Sequence, residues 1–470
     1  MKTLLFPITL LFLSCGLSNN TDTESKRPVT QTPFLKSYSL KTTQPNAISA
    51  KVIISSLTNS DEGYIMTGSI SIDQNNTNNR GDDGLILKTD NNGNLIKSIY
   101  VMYYNSNVNP TYAVNENFYD VVKSSASDLY LTITQISPTG SYSSKSTFLT
   151  FFDKNLNIKI AGLYKTSFGG VYTKHVKAFN DGSFLLIGDA DVTQDSYGNI
   201  IKIGTVTKID AKGNVIWSKS YNSPEYYVNY GYGASSGDNW YYSNAIITDD
   251  AIYISGYSIN SFAQSSILLI KLDLNGNFIW AKEYNRKYNN NYYPSIGFDI
   301  INVNNNLIIP FKDNDNQYTI ESYGNLKVDY HGNVIDNKIY YHSTYLDEFA
   351  LDKDSTNNIY IGYGSSFLKT DASLNPLKTY SIYGGIKKGV KIQNNTPVFF
   401  TFNQTGNYAQ YAKAFITKMV KDKSCNARFS YTEDTNIIPE SDIFYTKDYN
   451  QSQISYLKVI PIPRYLTTLI

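Results

Sequence analysis

The chain has 470 residues and a formal net charge of +1 at pH 7, with 17% charged and 41% hydrophobic residues. It shows no extended stripe of lysine and arginine, which argues against nucleic acid as a partner. The two cysteines are Cys425 and Cys15, which directly follows an N-terminal targeting segment, so no internal disulfide is predicted.

Residues 1–14 have the composition of a signal peptide: Lys2 supplies positive charge, and the apolar run that follows is too short to span a bilayer. The next residues, Leu13-Ser14-Cys15-Gly16, resemble the lipobox of bacterial lipoproteins, with Phe12 where that family usually has an aliphatic residue. The resemblance implies acylation of Cys15, which would hold the chain at the membrane of the cell envelope. The residue after Cys15 is not Asp, which by resemblance to enterobacterial sorting allows the outer membrane. The alternative is an ordinary secretory signal with an incidental cysteine.

Residues 15–33 are polar, contain two prolines and are expected to form a flexible tether. After them a phrase recurs along the chain, most clearly as KLDLNGNFIWAKEY from Lys271 and KIDAKGNVIWSKSY from Lys208. Its Asp-x-x-Gly-Asn core predicts a tight hairpin turn, because Asp bonds nearby amides and Gly accepts positive φ. The aspartates that align are Asp90, Asp153, Asp210, Asp273, Asp329 and Asp371, and Val420 takes their place in a seventh, degenerate copy.

Short apolar strands precede each copy, for example FLLIGDA at 184–190 and IYISGYS at 252–258. Each unit therefore contains four strands, and repetition at this spacing indicates neighbouring sheets that bury each other's faces. The prediction is an all-β, seven-bladed β-propeller over residues 34–434 with four-stranded antiparallel blades. A β-solenoid or a string of small β domains is the alternative architecture.

Phe34–Leu40 resembles the last strand of a unit, and we expect this N-terminal strand to close the last blade, leaving no open edge. The seventh unit has only a poor last strand of its own, in residues 426–434. Residues 435–470 form a C-terminal extension that we expect to pack on the propeller, with 454–465 against its rim.

Long aromatic loops follow the last strands of several units, at 102–117, 222–243 and 285–296. Propeller topology puts such loops on one face, where tyrosine suits recognition of an envelope protein or a glycan. The ligand-binding residues predicted here are Tyr226, Tyr227, Tyr230, Tyr232, Trp240, Tyr241, Tyr242, Tyr288, Tyr292 and Tyr293. The alternative is that these rings only pack the loops onto the rim.

Other motifs give little support for catalysis. Loop 71–84 offers Asp73, Asn75, Asp82 and Asp83 as oxygen ligands for calcium, but the EF-hand glycine and closing glutamate are missing, so no metal is predicted. The integrin-type tripeptide Arg80-Gly81-Asp82 arises easily by chance.

The G-x-S-x-G at 233–237 lacks the strand and helix that a nucleophile elbow needs. The histidines that could serve as bases are His175, His331 and His342. No catalytic residue is predicted.

The repeat resembles the K-x-D-x-x-G-N-x-x-W-x-K-x-Y blades of bacterial secreted and lipoprotein β-propellers, over residues 47–434. It is also similar to the quinoprotein-type blade, but only Trp217 and Trp280 fit that pattern, so no cofactor is predicted. The resulting hypothesis is a monomeric, lipid-anchored and non-catalytic binding or scaffold module. The alternative is an envelope enzyme that acts on polysaccharide through carboxylates of the top-face loops.

Overall fold

The structure is a computed structural model. It describes residues 8–11, 34–40, 47–74, 83–102, 118–136, 146–166, 170–194, 200–223, 227–228, 235–236, 239–260, 264–288, 291–314, 321–343, 349–363, 366–382, 386–393, 395–405, 411–418, 429–432, 443–449, 453–456, 460–463 and 467–469. Within these ranges the chain consists of strands and their connections. No helix occurs among them, and hence none long and apolar enough to cross a membrane.

The strands that precede the C-terminal extension are β1 (Ile8–Leu11), β2 (Phe34–Leu40), β3 (Ala47–Asn59), β4 (Gly63–Gln74), β5 (Asp83–Asp90), β6 (Leu95–Met102), β7 (Phe118–Lys123), β8 (Leu129–Ile136), β9 (Ser146–Asp153), β10 (Ile158–Lys165), β11 (Val171–Ala178), β12 (Phe184–Gln194), β13 (Ile200–Ile209), β14 (Val215–Asn222), β15 (Tyr227–Val228), β16 (Ser235–Ser236), β17 (Asn239–Ile247), β18 (Ala251–Ile259), β19 (Ser265–Asp273), β20 (Phe278–Tyr288), β21 (Asn291–Tyr293), β22 (Ser295–Gly297), β23 (Ile301–Val303), β24 (Asn306–Asn314), β25 (Glu321–Asp329), β26 (Val334–Ser343), β27 (Phe349–Lys353), β28 (Ile359–Tyr363), β29 (Ser366–Thr370), β30 (Pro376–Ile382), β31 (Ile386–Gln393), β32 (Thr396–Thr405) and β33 (Tyr411–Lys418). The remaining strands are β34 (Phe429–Thr432), β35 (Ile443–Tyr449), β36 (Gln453–Tyr456), β37 (Ile460–Pro463) and β38 (Thr467–Leu469).

Consecutive strands pair antiparallel into blades of four. We name them blade I (β3–β6), II (β7–β10), III (β11–β14), IV (β17–β20), V (β22–β26, in which β22 and β23 together form the first strand) and VI (β27–β30). The strands β31, β32 and β33 pair in the same way, and β2 adds to β33, so these four are called the terminal set.

Apolar side chains fill the space between each blade and the next rather than the interior of one sheet. One cluster joins Leu185 and Val206 of blade III to Trp240 and Ile254 of blade IV. Corresponding clusters lie between I and II, II and III, IV and V, V and VI, VI and the terminal set, and the terminal set and I. Burial between successive four-stranded sheets defines an all-β propeller.

The repeated phrase has a physical explanation in the turns. In the turn at Asp210, the carboxylate accepts hydrogen bonds from the amides of Lys212 and Asn214, each at 2.8 Å, and from the Asn214 side chain. Gly213 adopts φ of 80° there, which glycine accepts without strain. The other five aligned aspartates bind their own turns in the same way.

The final tyrosine of the phrase connects neighbouring blades. The Tyr284 hydroxyl donates to the Gly332 carbonyl at 2.8 Å, and Tyr340 donates to the Leu374 carbonyl at 2.9 Å, in each case in the turn of the next blade. Tyr164 and Tyr221 bond the following turn in the same way. The aspartate of the phrase therefore stabilises its own turn, and the final tyrosine connects one blade to the next.

The N-terminal strand β2 pairs antiparallel with β33, from Phe34 opposite Lys418 to Tyr38 opposite Ala414. This is the fourth position of the terminal set, where the N-terminal strand was predicted. The weak strand that the sequence shows in residues 426–434 does not belong to the terminal set: Phe429–Thr432 pairs with β30 of blade VI.

The strands β34–β38 run along the outer edges of the blades as fifth strands. β34 pairs with blade VI, β35 with IV, β36 with III, β37 with II and β38 with I, so the chain passes these blades in reverse order. We call β34–β38 the C-terminal belt. Its strand β37 carries Pro461 and Pro463, and proline, which lacks an amide donor, is tolerated at sheet edges.

Candidate active site in the central channel

Two of the predicted ligand-binding aromatic residues belong to the core. Trp240 and Tyr242 are 0% exposed in β17, where they face the cluster between blades III and IV. The Trp240 indole donates to Glu283 at 2.9 Å, and the Tyr242 hydroxyl donates to the Tyr221 carbonyl at 2.6 Å. The prediction that these two rings belong to an exposed binding patch is wrong, since they lie in a strand with alternate residues turned inward.

Tyr241, between them, is partly exposed and stacks on Tyr257 with ring centroids 5.0 Å apart. Burial raises the pKa of Tyr257 to about 12, with a smaller contribution from Asp189. Tyr257 thus presents a neutral phenol ring at ordinary pH.

The other predicted residues are only partly covered by the structure. Cys15, Tyr226, Tyr230 and Tyr232 lie outside the described residues. Tyr227, Tyr288, Tyr292 and Tyr293 lie in strands β15, β20 and β21, and only their backbone is described.

The smaller motifs can be placed more fully. The serines of the G-x-S-x-G form the short strand β16, which pairs with β15, so the strand-to-helix elbow is absent there. His331 lies in the turn of Asp329, which accepts its amide, and His342 lies in β26 opposite Ser322. Asp73 lies one residue before the end of β4, and Asp83 begins β5. Asn75 and Asp82 fall outside the described residues.

A set of polar residues that was not predicted as a site lies on the first strands of the blades. These strands pack beside one another, β3 against β7, β7 against β11 and β11 against β17, and in a propeller the innermost strands surround the central channel. Each of the four has a shift in its pairing register. The first paired residues after the shifts are Ser56, Asp120, His175 and Asn244.

In blade V, Asp299 falls at the matching interruption, between β22 and β23. Such bulges turn a side chain away from the regular pleat and often occur beside active sites. We call Ser56, Asp120, His175, Lys177, Asn244 and Asp299 the central polar cluster.

Hydrogen bonds within the cluster cross from blade to blade. Asp120 Oδ1 accepts from the Ser56 hydroxyl at 2.8 Å. Its Oδ2 accepts from the Val176 amide at 3.1 Å and lies 3.3 Å from His175 Nδ1. Asn244 donates its side-chain amide to Asp299 at 2.6 Å. The two carboxyl groups therefore have different surroundings. Asp120 has donors from three blades, whereas Asp299 accepts from the side-chain amide of Asn244 and from the backbone next to it.

These surroundings move the two carboxyl pKa values in opposite directions. Burial alone would raise the pKa of Asp120. The hydrogen bond and the charge of His175 outweigh this effect, together with the charge of Lys177 and the Val176 amide, so the pKa of Asp120 lies below its ordinary value. Burial raises the pKa of Asp299 despite the opposing effects of Lys177, His175 and its hydrogen bonds. A pair of carboxyl groups divided in this way is suited to act as base and acid.

The charges of His175 and Lys177 act on both carboxyl groups. Asp120 and His175 retain side-chain exposures of 16% and 38%, so solvent reaches these two side chains. Among the described residues no three carboxylate, imidazole or thiolate groups are arranged to hold a metal ion. The carboxyl, imidazole and ammonium groups of the cluster can transfer protons and stabilise charge.

The sequence carries a faint signal for this cluster. Each bulged first strand has one polar residue immediately before an apolar one, as in Tyr119-Asp120-Val121 and Lys174-His175-Val176. The same order occurs in Phe298-Asp299-Ile300.

Comparisons with known proteins found only weak structural likenesses. No family model and no curated protein matches the chain. Among solved structures, it is similar to a B. megaterium levansucrase mutant at 9% identity and a TM-score of 0.35, covering 66% of this chain and 86% of that one. An exo-1,5-alpha-L-arabinanase from a bovine ruminal metagenomic library matches at 10% identity and a TM-score of 0.28, covering 85% and 98%. A Bombyx mori GH32 beta-fructofuranosidase matches at 8% and 0.26, covering 89% and 85%. Likenesses this weak establish no shared activity.

Proposed function

We propose that this chain is a lipid-anchored β-propeller of the bacterial cell envelope that cleaves a glycan in its central channel. The observation that carries the proposal is a pair of carboxyl groups on the inner strands: Asp120, which accepts from Ser56, Val176 and His175, and Asp299, which accepts from Asn244. Their surroundings lower the pKa of Asp120 and raise that of Asp299. Hydrolysis of a glycosidic bond by two carboxyl groups needs this division of roles. The site would lie in the inner strands and not in the top-face loops.

In the proposed reaction, protonated Asp299 gives its proton to the oxygen of the glycosidic bond as that bond breaks. Ionised Asp120 takes a proton from a water molecule, whose oxygen bonds to the anomeric carbon. One sugar leaves with a new hydroxyl, the other gains the water oxygen, and the acid and base exchange protonation states with solvent before the next turnover. Ser56 and the Val176 amide keep Asp120 ionised by donating to it.

The propeller in this proposal has seven blades, the seventh being the terminal set. Two observations support it: apolar clusters lie on both sides of that set, against blade VI and against blade I, and β2 supplies its fourth strand. A ring closed by the N-terminal strand leaves no open gap between first and last blade. Acylation at Cys15 would tether this ring to the membrane, as the lipobox resemblance implies.

A non-catalytic, protein- or glycan-binding module is the second candidate. The partly exposed Tyr241–Tyr257 stack favours it, because paired aromatic rings bind sugar and protein surfaces well.

The experiment is cleavage of a panel of bacterial and plant polysaccharides by the full chain, measured as released reducing ends. Asp120→Asn and Asp299→Asn should each reduce cleavage by roughly a hundredfold or more, the range of a general acid or base. The matched control is Asp352→Asn. Asp352 also lies on a first strand and accepts an amide from the next one, Ile392 N at 2.7 Å.

Asp352→Asn should keep activity near that of the wild type. Activity unaffected by Asp120→Asn and Asp299→Asn would overturn the proposal. Binding of a polysaccharide by the wild type without any cleavage would favour the second candidate.

A further inference from the structure

The lysine of the central polar cluster stands apart from the other lysines of the inner strands. Lys123 pairs with Asp61 at 2.7 Å, Lys174 pairs with Asp189 at 2.8 Å, and Lys353 donates to Asn357 at 3.1 Å. Lys177 is partly exposed, and among the described residues its ammonium group has no ion pair or hydrogen bond. It is a cation on the channel wall that no neighbouring side chain neutralises by contact.

Its position relative to the carboxyl pair follows from the strand. Lys177 comes two residues after His175 in β11, without a register shift between them, so the two side chains leave the same side of the strand. His175 points to Asp120, at 3.3 Å. The ammonium charge is close enough to act on both Asp120 and Asp299.

The charge of the cluster permits an anion to bind there. Asp120 is already surrounded by four donors: Ser56, His175 and the amides of Val121 and Val176. In the proposed reaction Asp299 carries a proton before turnover, so one shielded negative charge faces the positive charge of Lys177. A lysine ammonium is a compact charge that binds anionic oxygens well, whereas neutral sugar hydroxyls make weaker use of it.

We propose that the channel takes a glycan bearing carboxylate groups, a uronic-acid polymer, and that Lys177 binds the sugar carboxylate next to the bond that is cleaved. This inference rests on the proposed glycan cleavage and names its substrate class. Lys177 is a specificity-determining residue in it, while the carboxyl pair performs the chemistry.

The test is binding of a uronic-acid polymer to the full chain, compared with the same polymer after reduction of its carboxyl groups to alcohols. Isothermal titration calorimetry would be run at two salt concentrations on the wild type, Lys177→Gln and Lys174→Gln. The wild type should bind the acidic polymer roughly tenfold or more tightly than the reduced one, as a hydrogen bond between charged groups implies. Lys177→Gln should abolish that preference, and added salt should weaken the wild type more than this variant.

Lys174→Gln is the matched control, because it removes a lysine from the same strand whose ammonium already has a partner. It should retain the preference. Equal affinity of the wild type for both polymers, or an unchanged preference in Lys177→Gln, would overturn the inference. Cleavage of a neutral glycan without charge preference would leave the proposed function standing and this inference refuted. Selective binding of the acidic polymer without cleavage would refute the proposed function and, with it, the placement of Lys177 beside a cleaved bond.

Discussion

Replacement of Trp240 by Ala should strongly destabilise the propeller, although the residue lies next to an aromatic loop. The indole is 0% exposed, packs near Phe278 with ring centroids 6.5 Å apart and donates to Glu283 at 2.9 Å. Emptying such a site costs about 3–5 kcal/mol, to which the lost hydrogen bond adds about 1 kcal/mol. An unfolding entropy of about 2.1 cal/mol/K per residue over roughly 400 residues converts 4 kcal/mol to a fall in melting temperature of about 5 °C.

The matched variant is Tyr241→Ala, one residue further along the same strand. Tyr241 is partly exposed, and its stack on Tyr257 is worth about 1 kcal/mol, so the melting temperature should fall by only about 1 °C. Circular dichroism at the same protein concentration and heating rate would measure both. Equal melting temperatures for the two variants would refute the assignment of Trp240 to the core between blades III and IV.

Four further predictions concern the turns and the two ends of the chain. Asp273→Ala removes three hydrogen bonds of its turn and should lower the free energy of unfolding in urea by about 1–3 kcal/mol. A change below about 0.5 kcal/mol would contradict the role of this aspartate in stabilising the turn. Turn hydrogen bonds hold the pKa of Asp273 below its ordinary value despite burial. The stabilisation by this carboxylate is therefore present above its unfolded-state pKa and is lost as pH falls through its folded-state pKa. Asp273→Ala should make the free energy of unfolding fall less steeply on acidification, and an unchanged slope would contradict this. Deleting Phe34–Leu40 or residues 443–470 should expose strand edges and promote aggregation, visible by light scattering, and monomeric variants with unchanged melting would contradict the roles of β2 and the C-terminal belt. Cys15→Ser should move the chain from the membrane to the soluble envelope fraction, and unchanged partition would disprove the anchor.

Much of the fold could be predicted because its signals are local. The Asp-x-x-Gly-Asn turn is specified by residues within five positions of one another, and the structure forms it at Asp210 with three contacts from Lys212 and Asn214. The blades follow from apolar strands that precede each turn. The position of Phe34–Leu40 could be inferred because it resembles the strand whose place it takes.

The C-terminal belt could not be predicted in detail, because its partners are far away in sequence. The Cα of Ile462 pairs with that of Leu163, and no local turn or repeat indicates that choice. The pairing of Phe429–Thr432 with β30 could not be predicted for the same reason, because a short apolar strand fits any uncovered edge.

The central polar cluster was missed because a bulge leaves no periodic pattern in a sequence. Asp120 and Asp299 each interrupt an apolar strand by one residue, which resembles an ordinary surface position. Trp240 and Tyr242 were predicted to be exposed although they are buried, because the tyrosine-rich sequence around them concealed the two-residue alternation of β17. In both cases the neighbouring blade decides which side chains are buried.

The dependence of glycan cleavage on pH tests the central claim most directly. With Asp120 as base and Asp299 as acid, the rate should rise through the lowered pKa of Asp120 and fall through the raised pKa of Asp299, giving a bell-shaped profile. Asp299→Asn should abolish the high-pH decline in whatever activity remains. A profile in the wild type without these two limbs, or a high-pH decline that persists in Asp299→Asn, would contradict the assignment of this pair.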